Sequence, residues 1–370
     1  MAVFRREIAT LVAFATFAAF LFFGSRLEPD IIGFASSLAL LTLLFLVMLW
    51  AAFRVVHHAE CLGSLLGEPY GTLILTLSVI GIEVTLIAAI MITGADNPTL
   101  ARDTMLSIIM IMLNGLVGLC LITGGIRHRL QEYNLEGAGA YLTMIIPFAF
   151  LGLVLPRFTQ SAPVGELSGL MATFLVLMSV VLYGIFLAVQ TLTHSDIFQY
   201  TPESDDDGVA ADEHHDLALQ SMSTHTIALI AALIPIVLLS KTLAVYVDYS
   251  IGTVGAPVAL GGFLVAALIL TPEALSAIRA ARVNQLQRSV NICLGSALST
   301  MSLTIPTVLL IGHILGKPVK LGLDPTEVVL LILTLAVSLV TFVSRRTHVL
   351  QGAVHLALFL AYVILIFDTG

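Results

Sequence analysis

Long apolar runs separated by short polar stretches recur from one end of the chain to the other, almost without Asp, Glu, Lys or Arg inside them. A run of about 18 or more such residues crosses hydrocarbon as an α-helix, because each residue advances the helix about 1.5 Å. Eleven such segments are legible: residues 8–23, 31–53, 71–94, 104–125, 139–155, 167–192, 222–247, 257–278, 289–315, 326–344 and 348–367. The pattern predicts an all-α integral membrane protein of about eleven transmembrane helices, with the lipid bilayer as its solvent. The first segment is short and follows Arg5 and Arg6, as in a signal peptide, but no small-x-small cleavage site follows in Phe22-Phe23-Gly24-Ser25-Arg26. It is read as an uncleaved helix.

Composition agrees: 58% of the 370 residues are hydrophobic, 11% are charged, and the mean hydropathy is +1.03. No stretch between segments is long enough to bury a core of its own, so no soluble domain is expected. The net charge of −8 offers no basic surface, and no nucleic-acid partner is expected. Cys61, Cys120 and Cys293 fit no metal-ligand spacing and read as small hydrophobes.

Polar residues outside the segments set the organisation. Assigning loops alternately to two sides puts ten Lys and Arg on the side of the N-terminus, including Arg54, Arg127, Arg279 and Arg288, and six opposite, including Arg102 and Lys317. Basic loops resist translocation, which makes the N-terminus cytoplasmic and, with an odd helix count, the C-terminus external. Between Asp196 and Asp216 lie eight acids and no Lys or Arg, a segment too self-repelling to pack, so it reads as a cytoplasmic linker. It divides the chain into an N-terminal helix (1–30), a first five-helix unit (31–192), the acidic linker (193–221) and a second five-helix unit (222–370). Two units with an odd number of spans enter the membrane in opposite senses, which is the topology of the inverted repeats that many secondary transporters place around a midplane site.

One glutamate falls in the second helix of each five. Glu83 lies in Ser78-Val79-Ile80-Gly81-Ile82-Glu83-Val84-Thr85 and Glu273 in Leu268-Ile269-Leu270-Thr271-Pro272-Glu273-Ala274-Leu275. A carboxylate at membrane depth costs at least about 2.5 kcal/mol on insertion scales. Basic residues fall at or toward segment ends, leaving neither glutamate an obvious Arg or Lys partner. A proton, a bound cation or polar side chains must compensate. Protons and cations competing for the same oxygens make an exchanger, if the empty, doubly ionised site is too costly to reorient. The alternative is that both acids are protonated and act as polar glue between helices. Pro272 favours function, because a proline frees backbone carbonyls that can face a cavity.

A hard cation such as Ca2+ wants six to eight oxygens. Asn114, in the helix after Glu83, and Ser296, Ser299 and Thr300, in the helix after Glu273, are candidate further ligands, weighed against the ordinary use of such residues in helix packing. Asp103 reads as an interfacial or capping acid, Glu68 as a turn acid, His355 as an interhelical hydrogen-bonder, and His57 and His58 as surface neighbours of Arg54.

Leu66-Gly67-Glu68-Pro69-Tyr70-Gly71-Thr72-Leu73-Ile74-Leu75, Arg102-Asp103-Thr104, Ala256-Pro257-Val258-Ala259, Asn284-Gln285-Leu286-Gln287-Arg288, Gly295-Ser296-Ala297-Leu298-Ser299-Thr300 and Gly352-Ala353-Val354-His355-Leu356 together resemble the bacterial ChaA-type calcium/proton antiporters of the Ca2+:cation antiporter superfamily. The resemblance runs over nearly the whole chain. It implies a ten-helix inverted-repeat core with an added N-terminal helix, an acidic stretch between the halves, and one ion-binding glutamate per half, at positions matched by Glu83 and Glu273. It implies transport of Ca2+ against H+ across the cell's inner membrane, with Na+ and K+ as further cargo and no resident cofactor. The chain departs from the wider superfamily's Gly-Asn-x-x-Glu pattern, having Ile80-Gly81-Ile82-Glu83 and Thr271-Pro272-Glu273 in its place. Readings of other kinds are a monovalent cation/proton antiporter, a passive cation channel, and an intramembrane enzyme; the last lacks His-Glu-x-x-His and paired intramembrane aspartates.

Overall fold

The computed structural model describes residues 7–66, 70–93, 98–199 and 221–368. Within them the chain folds into eleven long helices: α1 (Ile8–Phe23), α2 (Phe34–Leu66), α3 (Tyr70–Thr93), α4 (Leu100–His128), α5 (Leu135–Phe158), α6 (Gly169–Thr193), α7 (Met222–Val254), α8 (Ala259–Arg282), α9 (Leu286–Leu315), α10 (Pro325–Phe342) and α11 (Val349–Asp368). Among the described residues ten of these helices, α3 apart, are long and apolar enough to cross a membrane, and α3 is 24 residues long. Each apolar run of the sequence has become one helix. Several helices outrun their apolar runs: α2 and α7 reach 33 residues each, about 50 Å at 1.5 Å per residue and well beyond the roughly 30 Å hydrocarbon layer.

The helix starts carry the side chains that close orphaned amides. Asn134 accepts from the Glu136 amide at 2.9 Å, Ser168 from Met171 at 3.3 Å and Ser221 from Thr224 at 3.4 Å. Asp324 and Glu327 form a reciprocal capping box ahead of Pro325. Four helices contain a π-helical turn: Met110–Leu116 in α4, Phe150–Val154 in α5, Val189–Thr193 in α6 and Thr300–Thr304 in α9. Such turns insert one extra residue and cluster at functional sites.

The contacts at the helix ends define two faces. On one, Glu7 pairs with Arg54 at 2.6 Å, His58 lies 3.1 Å from Glu7 and 3.0 Å from His225, and a two-residue ladder pairs Gln131 with Thr347 and Glu132 with Arg346. On the other, the Tyr246 hydroxyl donates to the Leu27 carbonyl, the amides of Leu321 and Gly322 donate to the Gly165 carbonyl, and Lys320 donates to Pro98. α2 therefore starts on the face where α7 ends, and the two long helices run antiparallel against each other. His58 does adjoin Arg54, at 3.1 Å, but it is buried within this junction, 4% exposed, rather than lying at the surface.

Among the ten apolar spans α4 is the most enclosed, with 83% of its apolar stretch buried, whereas α1 has 17%. α8 crosses α4 where Gly262 meets the backbone of Asp103 and Thr104; a Cβ there would stand 2.7 Å from the Thr104 nitrogen. α11 crosses α4 at Gly118 and Gly352, each approaching the other's carbonyl oxygen. Small residues at both crossings let the backbones touch, which is how membrane helices gain packing when lipid is as apolar as their side chains.

Candidate functional site

Glu83 projects from the middle of α3 and is 2% exposed. Its two carboxylate oxygens are held from α9: Thr300 Oγ1 donates to one at 2.9 Å and Thr304 Oγ1 to the other at 2.6 Å. Glu273, on α8, accepts from Ser296 Oγ of the same α9 at 2.6 Å. Ser296, Thr300 and Thr304 recur every fourth residue and so share one face of α9. Ser296 and Thr300 are one turn apart, about 6 Å along the axis. The two acids, 190 positions apart in sequence, thus hang from successive turns of one helix, near enough for their charges to act on each other. Among the described residues, neither forms an ion pair with Lys or Arg.

This arrangement leaves charge to be compensated. A hydrogen bond to a charged group contributes about 1.5–3 kcal/mol, while an unpaired buried ion still costs several kcal/mol, so three hydroxyl donors cannot carry two ionised carboxylates. Two protons or one divalent cation would neutralise the pair. Five side chains bring oxygens together here, two carboxylates and three hydroxyls; a hard cation would need carbonyls and water besides to complete its shell.

The sequence candidates separate here. Ser296 and Thr300 are at the glutamates. Ser299 donates to the Ser296 carbonyl at 3.0 Å and lines the adjacent cavity without bonding either acid. Asn114 is elsewhere: its Nδ2 donates to Thr334 Oγ1 at 2.8 Å and its Oδ1 lies 3.2 Å from His355 Nδ1, in a closed network that ends at Thr341, 2.9 Å from His355 Nε2. An amide oxygen only accepts, so His355 donates from Nδ1 and accepts from Thr341 at Nε2, which makes it the interhelical hydrogen-bonder expected of it. Asp103 is buried and holds Arg102 at 2.8 Å and Thr99 at 3.0 Å. Glu68 and the acidic residues 203–216 lie outside the described residues. Pro272 sits inside an uninterrupted α8. Thr304 escaped the sequence reading, although it extends the stripe of Ser296 and Thr300 by one more step of four.

A cavity of about 620 Å3 reaches Glu273 from the face that carries Glu7 and His225. α9 supplies its polar track, from Arg288 through Asn291 and Gly295 to Ser296 and Ser299, and Tyr141, Tyr183 and Phe186 form an aromatic wall. Glu273 stands half-buried at the inner end, while Glu83 is sealed behind it. On the opposite face Arg102, 9% exposed, donates to Asp103, to the Gly322 carbonyl at 3.2 Å and to Asp324 at 3.3 Å, with Glu327 at 4.0 Å. That cluster ties α4 to the loop before α10.

Comparison with known proteins finds relatives of nearly the whole chain. The model of the sodium/calcium exchanger protein family matches residues 36–192 and 213–367. The sodium-potassium/proton antiporter ChaA of Escherichia coli (strain K12) is 44% identical over 321 residues, covering 86% of each chain. Among solved structures, native YfkE superposes with a TM-score of 0.71 at 18% identity over 97% of this chain and 99% of its own, and the H+/Ca2+ exchanger CAX with 0.63 at 16% identity over 96% and 89%.

Proposed function

We infer what this chain carries from one premise: it belongs to the sodium/calcium exchanger protein family, and it is a multi-pass membrane cation/proton antiporter rather than an enzyme, with no cofactor. The finer reading is that Glu83 and Glu273 form the shared cation and proton site, that Ca2+ is a cargo, and that Na+ and K+ compete for the same oxygens. The observation that carries it is the pair of carboxylates held by consecutive hydroxyls on one face of α9. With a charge of −2 the site is neutral with one Ca2+ or two protons. A monovalent ion makes it neutral only when the second glutamate keeps its proton. The same site therefore accommodates both the divalent cargo in the name of the CAX structure and the monovalent cargo in the name of ChaA.

Access supports exchange over a passive pore. The cavity reaches the site from one face, while the Arg102 cluster ties the other, and alternating access requires one-sided opening of this kind. We read residues 31–192 and 222–370 as inverted halves joined by the acidic linker 193–221 behind an N-terminal helix within 1–30. The face with the N-terminus and the cavity mouth is read as cytoplasmic, and the C-terminus as external.

The test is uphill transport in sealed vesicles containing the purified chain. With the membrane potential clamped, an imposed pH gradient drives Ca2+, Na+ or K+ against its own gradient in an exchanger and not in a channel. Glu83→Gln and Glu273→Gln should each abolish proton-coupled Ca2+ movement. Full exchange in the double variant would falsify the site.

A further inference from the structure

Glu60 is an acid that the two-glutamate site does not use. It lies near the end of α2, half-buried, on the wall of the same cavity that ends at Glu273. Val56, one turn earlier on the same face of α2, lines the cavity as well, so this face runs from the mouth inward. Across the cavity α9 presents Arg288 at the mouth and Ser296 at the site. The charges of Arg288 and Arg279 reach Glu60, yet among the described residues its carboxylate accepts no hydrogen bond and lies in no ion pair within 4.0 Å. The nearby Ser64 hydroxyl donates to the Glu60 backbone carbonyl and leaves the side chain alone.

A cation entering this cavity meets a fixed positive charge before it meets Glu273. Arg288 cannot lose its proton, so whatever else it bonds, its charge works against a cation on this pathway. A carboxylate beside it cancels that barrier, and a carboxylate without hydrogen-bond donors keeps its lone pairs for a passing ion. An ion-paired structural acid would be expected to grip the arginine directly.

We propose that Glu60 is the transit carboxylate of the cytoplasmic pathway, an acid that collects the cation at the cavity mouth and passes it to Glu273 without belonging to the site that is carried through the cycle. The role rests on the reading of Glu83 and Glu273 as the transport site. A collecting charge acts on the rate of arrival, whereas a site residue acts on turnover. The carboxylate is required and its length is not critical.

The experiment measures initial rates of pH-driven Ca2+ uptake by the full chain in sealed vesicles at low ionic strength, with the cavity face toward the Ca2+. Glu60→Gln should raise KM for Ca2+ by about tenfold, the lower end of the range for electrostatic focusing, with maximal rate held within about twofold. Glu60→Asp should stay near the parent, and added choline chloride should shrink the difference between parent and Glu60→Gln, because salt screens exposed charges. Unchanged KM in Glu60→Gln, or a lost maximal rate at unchanged KM, overturns the proposal, and a thermal melt of each purified variant shows that it is folded. Glu273→Gln is run beside them: full activity there sinks the site reading, whereas an inactive Glu273→Gln with an unaltered Glu60→Gln sinks only the transit role.

Discussion

Thr304 and Asn114 are both buried polar residues in π-helical turns, and they do different work. Thr304 donates to Glu83 at 2.6 Å, so its hydroxyl favours the ionised acid. In Thr304→Val the proton competes better for Glu83, and at fixed pH the apparent Ca2+ affinity should fall by roughly 10- to 100-fold, the equivalent of about 1.5–3 kcal/mol for a hydrogen bond to a charge. The part of the loss that comes from proton competition should shrink as pH is raised, because fewer protons remain to compete, and Thr304→Ser should restore the parent affinity in the same vesicle assay. Asn114→Ala should do the reverse. It removes the acceptor facing His355 Nδ1 and the donor to Thr334 Oγ1, which keeps its own bond to the Leu330 carbonyl; losing these two hydrogen bonds, at about 0.5–1.5 kcal/mol each, lowers the melting temperature in detergent with KM for the cation unaltered. The sequence made the glutamates legible because an acid in an apolar run has few explanations. It could not separate Thr304 from Ser302 or Thr307, whose hydroxyls bond backbone carbonyls within their own helix, as Ser and Thr in membrane helices commonly do. Nor could it give Asn114 a partner, since Thr334 and His355 lie more than 200 positions away.

At the scale of the element, apolar runs located every helix but not its ends. The sequence pattern ends the second segment at residue 53, yet α2 continues through Arg54, His57, His58 and Glu60 to Leu66. Hydropathy reports where hydrocarbon stops. The backbone stays helical beyond it because tertiary contacts, here with α7 and Glu7, hold the polar turns. Crossing geometry was equally hidden, since a glycine in a membrane helix reads the same whether it faces lipid or another backbone. Gly262 is decided by its neighbours. In Gly262→Ala the new Cβ meets the Thr104 nitrogen at 2.7 Å and the Asp103 carbonyl carbon at 2.8 Å, and backbone cannot step aside as a flexible side chain can. The substitution should destabilise the α4–α8 crossing by about 1–3 kcal/mol, seen as a lower melting temperature. Gly139→Ala, where a Cβ meets nothing within 4 Å, should leave it unchanged.

Across the whole molecule, the open cavity and the Arg102 cluster lie on opposite faces, with packed helices running between them. α4 runs from Arg102 to the His128 end, and α8 packs on it while carrying Glu273. If exchange proceeds by one face opening as the other closes, the contacts of Arg102 with Asp103, Gly322 and Asp324 belong to the state seen here and must break in the opposite one. Weakening them should shift the population away from the open cavity. The expected result is read by a cysteine at Ser276, on the cavity wall, in a chain whose Cys61, Cys120 and Cys293 have been replaced. A membrane-impermeant thiol reagent applied from the cavity face should label Ser276→Cys several-fold more slowly when Arg102→Gln is added. A labelling rate unaffected by Arg102→Gln, with the variant folded, would make the cluster a static tie. A slower rate would make it part of the balance between the two faces, because a contact present in only one of two states shifts their populations by its own free energy.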